Sequence, residues 1–144
     1  MHPFPHHYHA SATAKAAGEV KLSGPGLPAL ASDGPAEFGG PGNLWSPETL
    51  LTAALADCFV LSLRAVAAAS KFEWLAVSCE VTGKLDRIDK VSQFTEFSIR
   101  ARLTIPAGAD AERARRLLEK SEQICLISNS LKAERHLQIE IEQA

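Results

Sequence analysis

Cysteine is scarce in this chain: Cys58, Cys79 and Cys125 are the only three among 144 residues. An odd number at wide spacing suits neither a disulfide-stapled domain nor a zinc site built on CxxC-type pairs. An excess of one charge is also missing, because 15 basic and 17 acidic residues leave a formal charge of −2. No stretch combines Lys and Arg with interleaved aromatics, so nucleic acid is not expected as a partner. The opening Met1-His2-Pro3-Phe4-Pro5-His6-His7-Tyr8 has neither the basic nor the apolar region of a secretory leader, and a cytoplasmic location is expected. The longest apolar stretch, Leu50 to Ala69, contains Asp57 and Arg64, each costing about 2.5–3.5 kcal/mol at mid-membrane. A buried soluble helix is therefore expected there, and no membrane partner. His2, His6, His7 and His9 cluster, but an extended segment points alternate residues apart and no second ligand group accompanies them, so no metal is expected.

What is present is a 46% apolar chain, enough for one domain over residues 1–144 with a real core. Loose alternation from His6 to Ala17 and clear alternation in Glu19-Val20-Lys21-Leu22-Ser23 predict short strands turning near Gly18. Gly24 to Gly42 holds six glycines and four prolines and reads as a long loop. Ser46-Pro47-Glu48 is a helix start, with Ser as N-cap, Pro where no N–H is needed and an acid at the positive end. The helix should run to about Ser70. Its apolar residues, among them Leu50, Leu51, Leu55, Phe59, Leu61, Leu63 and Val66, lie on nearly all sides, which predicts a helix surrounded by protein.

Leu75, Val77, Cys79 and Val81 alternate with polar or small residues, as does the run Phe94 to Ile105, predicting an antiparallel hairpin that turns around Asp86-Arg87-Ile88-Asp89. Asp110 can cap a second, amphipathic helix with the stripe Ala114, Leu117, Leu118, Ser121, Ile124 and Cys125, and with Glu122 among the charges of its outer face. A last strand is expected from His136 to Glu142. Strands, buried helix, hairpin, amphipathic helix and strand make an α+β fold.

Taken from pattern alone, Cys58 lies in a buried helix, where a free thiol is usually inert. Cys79 sits on an apolar strand face and reads as packing. Cys125 also faces inward, so packing of the two helices could bring it to Cys58, and a partly accessible dithiol points to redox work.

The run Ser46-Pro47-Glu48-Thr49-Leu50-Leu51-Thr52-Ala53-Ala54-Leu55-Ala56-Asp57-Cys58-Phe59 resembles the signature of the OsmC/Ohr family, and Glu122-Gln123-Ile124-Cys125-Leu126-Ile127-Ser128-Asn129-Ser130-Leu131 is similar to its second motif. The order of elements matches over most of the chain. The resemblance implies an interlocked homodimer that reduces organic hydroperoxides, with sites at the interface, no bound cofactor, and an external dithiol, such as a lipoyl group, as reductant. It makes Cys58 the attacking thiolate, Cys125 the resolving thiol and Glu48 a site carboxylate. Sulfenate formation followed by a disulfide protects the first thiol from overoxidation.

A position near a helix C-terminus disfavours a thiolate, which suits Cys125 to resolving and leaves attack to Cys58. Glu48 and Cys58 stand about 15 Å apart along a straight helix, so either Glu48 serves the partner subunit or the helix breaks. No arginine precedes Arg64, so the arginine that the resemblance places near the N-terminus has no counterpart; Lys15, Lys21, His6, His7 and His9 stand there instead. Leu55 and Phe59, with Phe38 and Trp45 from the loop, would favour bulky organic peroxides. Two other readings fit the same fold: a non-catalytic dimeric protein binding a small apolar ligand, and a thiol redox sensor.

Overall fold

Gly18, at φ +95°, turns the chain between two short strands, as the alternation predicts. The computed structural model describes residues 1–144 and divides into two compact units, Met1–Leu50 and Leu51–Ala144. In the first, β1 (Ser11–Thr13), β2 (Val20–Ser23) and β3 (Leu30–Ser32) form an antiparallel sheet in that order. The expected featureless loop from Gly24 to Gly42 thus contains a strand, and also a single 3-10 turn at Ala36–Phe38. Leu30-Ala31-Ser32 escapes the Gly and Pro around it because it can pair with the open edge of β2, and Ser32 also bridges to Trp45.

Helix α1 (Pro47–Ala69) begins on a reciprocal cap. The Thr49 N–H donates to Ser46 Oγ at 3.1 Å and the Ser46 N–H to Thr49 Oγ1 at 2.8 Å, a capping box with Thr in the acceptor role. Lys71, at φ 53°, ends it in a left-handed turn. Its buried residues are Leu55, Phe59, Leu63, Val66 and Ala67, one stripe at spacings of three and four, while Leu61 is 52% exposed. The helix is therefore apolar all round and, within this chain, fully buried only along that stripe, so the expectation of a helix surrounded by protein is met along one side. By length and composition it could also cross a membrane; its buried stripe, however, shares one core with Phe97, Ile99, Leu103 and Leu118.

The hairpin consists of β4 (Ala76–Ile88) and β5 (Val91–Ile105). It turns at Asp89 and Lys90, both left-handed at φ 50° and 66°, so the strands run through Asp86, Arg87 and Ile88, where the turn was expected. A two-residue turn with both residues left-handed matches the twist of the strands, and Asp tolerates that conformation. Lys84 opposes Glu96 and Leu85 opposes Phe94, leaving Thr95 as a bulge. On β5, Phe97, Ile99, Ala101, Leu103 and Ile105 are buried and alternate with exposed or half-exposed residues.

Helix α2 (Ala111–Ile124) starts where the Arg113 N–H donates to Asp110 Oδ1 at 3.1 Å, and buries Ala114, Leu117, Leu118 and Ser121. Ile124, expected in the stripe, is 41% exposed. The short α3 (Leu126–Asn129) leads to β6 (Glu134–Gln143), which begins two residues before the expected His136. β6 runs parallel to β5, beside the antiparallel pairing expected of the hairpin. The intervening helix carries the chain back to the starting end of the sheet, the geometry a parallel neighbour needs.

Candidate thiol site

Cys58 is half-buried on α1, beside the core residue Phe59. Cys125 is fully buried, and it lies in neither helix: it is at once the residue that closes α2 and the one that opens α3. Its N–H donates to Glu122 O at 3.3 Å and its carbonyl accepts the Asn129 N–H at 2.9 Å. Asp110 to Ile124 carry the regular α2 pattern, and the break at Cys125 tucks the sulfur into the core.

The thiols of Cys125 and Cys58 lie within hydrogen-bonding reach of each other. Burial pushes the Cys125 thiol up to about 11, aided by Cys58 and by the negative charge of Glu122, against an opposing pull from the Ser128 backbone N–H. Loss of water, more than the end of a helix dipole, is thus what keeps Cys125 protonated. Cys79 points from β4 into the same core, and burial followed by Glu122 and Cys125 raises its thiol to about 12.

Sequence reasoning missed a carboxylate–guanidinium pair at this site. Arg135 Nε lies 3.2 Å from Glu122 Oε1, with both side chains largely buried. Arg135 Nη1 also donates to the carbonyls of Leu131 and Ala133, at 3.2 and 2.9 Å. Ser128 Oγ donates to the same Glu122 oxygen, while Glu122 Oε2 is buried without a hydrogen-bond partner. The signals were there. Glu122 stands four residues after the buried Leu118, and carrying the alternation of Leu137, Ile139 and Ile141 back to Arg135 puts that side chain on the inner face.

Glu48 is half-buried in the first turn of α1, and that helix is unbroken from Pro47 to Ala69. The alternative of a helix break is therefore removed, and Glu48 stays about 15 Å from Cys58 of its own helix. Arg64, Lys15, Lys21, His6, His7, His9, Phe38 and Trp45 are all exposed.

The model of the family described as OsmC-like protein matches residues 40–142. Peroxiredoxin OsmC of Escherichia coli is 28% identical over 89 residues, which make up 62% of this chain and 62% of that protein. The match thus spans somewhat less than two thirds of that relative. An OsmC-like protein of unknown function from Vibrio cholerae has the same fold, at TM-score 0.85 and 16% identity over 94% of this chain and 99% of its own. A Legionella pneumophila structure described as an organic hydroperoxide resistance protein OsmC gives TM-score 0.76 at 25% identity, covering 97% and 99%. With two thiols meeting in the core of a fold shared with these proteins, and a family match over most of its length, the chain belongs to the OsmC-like family.

Proposed function

We propose that this chain, as one OsmC-like domain in a cytoplasmic homodimer, is a thiol peroxidase that reduces organic hydroperoxides to alcohols. The observation that carries the reading is the meeting of a half-buried Cys58 with a fully buried, protonated Cys125. The names of the E. coli and Legionella relatives support the reaction class.

The Cys58 thiolate attacks the outer peroxide oxygen; the O–O bond breaks, the alkoxide leaves and takes a proton to become the alcohol, and Cys58 becomes a sulfenic acid. Cys125 then attacks the Cys58 sulfur. An S–S bond forms, and the departing hydroxyl takes the thiol proton and leaves as water. An external dithiol of the lipoyl kind supplies the two electrons that restore both thiols, and no bound cofactor takes part. In this scheme the Cys125 S–H donates to the attacking thiolate. Glu48 acts as the site carboxylate of the partner subunit, since its own helix holds it too far from Cys58. Leu55 and Phe59 beside Cys58 favour a bulky organic substrate over hydrogen peroxide, and relative turnover of cumene hydroperoxide and hydrogen peroxide checks that preference.

Mass spectrometry after one equivalent of cumene hydroperoxide tests the scheme. Wild type is expected to form a Cys58–Cys125 bridge, Cys125→Ser to carry sulfinic or sulfonic Cys58, and Cys58→Ser to leave the peroxide unconsumed. Peroxide consumption by Cys58→Ser at the wild-type rate would overturn the scheme. A bridge that forms once without cycling on added dihydrolipoamide would make the protein a sensor.

A further inference from the structure

We infer that Glu96, Glu134 and His136 form a binding site for a divalent cation of the zinc type on the outer face of the β4–β5–β6 sheet. In the register of β5 and β6, Glu96 stands beside Glu134 and Ser98 beside His136. The three side chains therefore share one face, opposite the one on which Phe97 and Ile99 are buried. One donor atom from each lies within 4.8 Å of the other two.

The spacing has the dimensions of a metal site. His136 Nε2 is 3.8 Å from Glu96 Oε2 and 3.9 Å from Glu134 Oε1, too far for a hydrogen bond to either. Zinc bonds of about 2.0–2.2 Å at tetrahedral angles set neighbouring donor atoms about 3.4 Å apart. The imidazole thus needs to close by only about half an ångström on each carboxylate to take up ligand distances. All three side chains can make that movement, because they are half-buried or exposed.

A second observation is the placing of two like charges side by side. Neighbouring carboxylates on paired strands repel each other. The register cannot slip to relieve this, because Leu137, Ile139 and Ile141 pack against the core from the same strand, and a shift of one residue would turn them outward. Lys84, across from Glu96 on β4, is the one cation in register with the pair. A divalent ion between the carboxylates removes the remaining repulsion. One imidazole nitrogen with two carboxylate oxygens suits zinc and its first-row neighbours better than calcium, which takes six to eight oxygens. The fourth position is left to water. Such an ion would tie the first residues of β6 to β5, and between its two β6 ligands lies Arg135, whose side chain reaches Glu122 on the other face.

The test uses the full-length protein with its thiols reduced. Zinc affinity is measured by competition with a chromophoric chelator, and cobalt(II) is titrated to read the ligand set from its absorption. One ion per chain is expected, with cobalt bands free of thiolate charge transfer. His136→Ala and Glu134→Gln should each weaken zinc at least about tenfold. Replacing His2, His6, His7 and His9 together by Ala should leave the affinity unchanged. Absence of zinc binding, equal affinity in His136→Ala, a cobalt–thiolate band, or loss of binding with the four N-terminal histidines would each overturn the assignment.

Discussion

A carboxylate as enclosed as Glu122 is stable only while its hydrogen bonds are made. Ser128 donates such a bond, while Arg135 supplies the compensating charge and through Nη1 satisfies two carbonyls in the turn before β6. Arg135→Ala removes this ion pair and two hydrogen bonds, leaving a buried charge whose one hydroxyl donor is Ser128. A loss of about 2–4 kcal/mol in urea unfolding is expected. Arg135→Lys should recover only part of it, because an ammonium cannot reproduce the planar fork. Equal stability of wild type and Arg135→Ala would show that the pair contributes nothing. At this scale the cysteines were legible and this pair was not. Cys58 and Cys125 stand in recognisable motifs, whereas Glu122 belongs to a helix with charges on most of its outer positions. Arg135 was left outside a strand thought to begin at His136.

The hairpin of β4 and β5 depends on a missing side chain. Gly83 pairs with Phe97, and a Cβ there would meet Phe94 Cε1 and Phe97 Cε1 at 2.8 Å each. The two rings are stacked with centroids 4.9 Å apart, and Phe97 is wholly buried, so neither can retreat freely. Gly83→Ala should therefore cost about 1–3 kcal/mol, despite the better strand propensity of Ala. Ser78→Ala, at an exposed position of the same strand, serves as the control and should shift the urea midpoint little. The strands themselves were readable from alternation, as were both helix starts, because Ser46 and Asp110 carry their caps in their own side chains. The turn was displaced because alternation fades at the exposed end of a long hairpin. There only backbone conformation, left-handed at Asp89 and Lys90, decides where the chain reverses. β3 was missed because three residues of a glycine-rich segment gain their strand geometry from a neighbour, and the parallel pairing of β6 depends on how α2 crosses the sheet. Neither cause is local.

Two whole-molecule properties follow from the buried thiols and from the helix that holds one of them. Cys125 and Cys79 keep their protons in the folded chain up to about 11 and about 12, against 9.0 for an ordinary thiol. Above pH 9 the unfolded chain therefore binds fewer protons than the folded one, and stability must fall as pH rises through this window. Unfolding free energy measured from pH 8 to 12 should decline. Cys79→Ala should lessen the slope even if it lowers the value at pH 8, and an unchanged slope would place the titration elsewhere. The second property concerns assembly. α1 is covered along one stripe and keeps Leu61 exposed, while its unbroken course separates Glu48 from Cys58. In the proposed homodimer, the carboxylate expected at each Cys58 is the partner's Glu48. Complementation decides this. A Cys58→Ser chain and a Glu48→Gln chain, each weakly active or inactive alone, are mixed under conditions that exchange subunits. Each mixed dimer then has one site with both lesions and one with an intact Cys58 and an intact Glu48 from opposite chains. Random exchange restores about a quarter of the sites, and activity should rise to about that share of wild type. If Glu48 served its own chain, every site would keep one lesion and mixing would restore nothing.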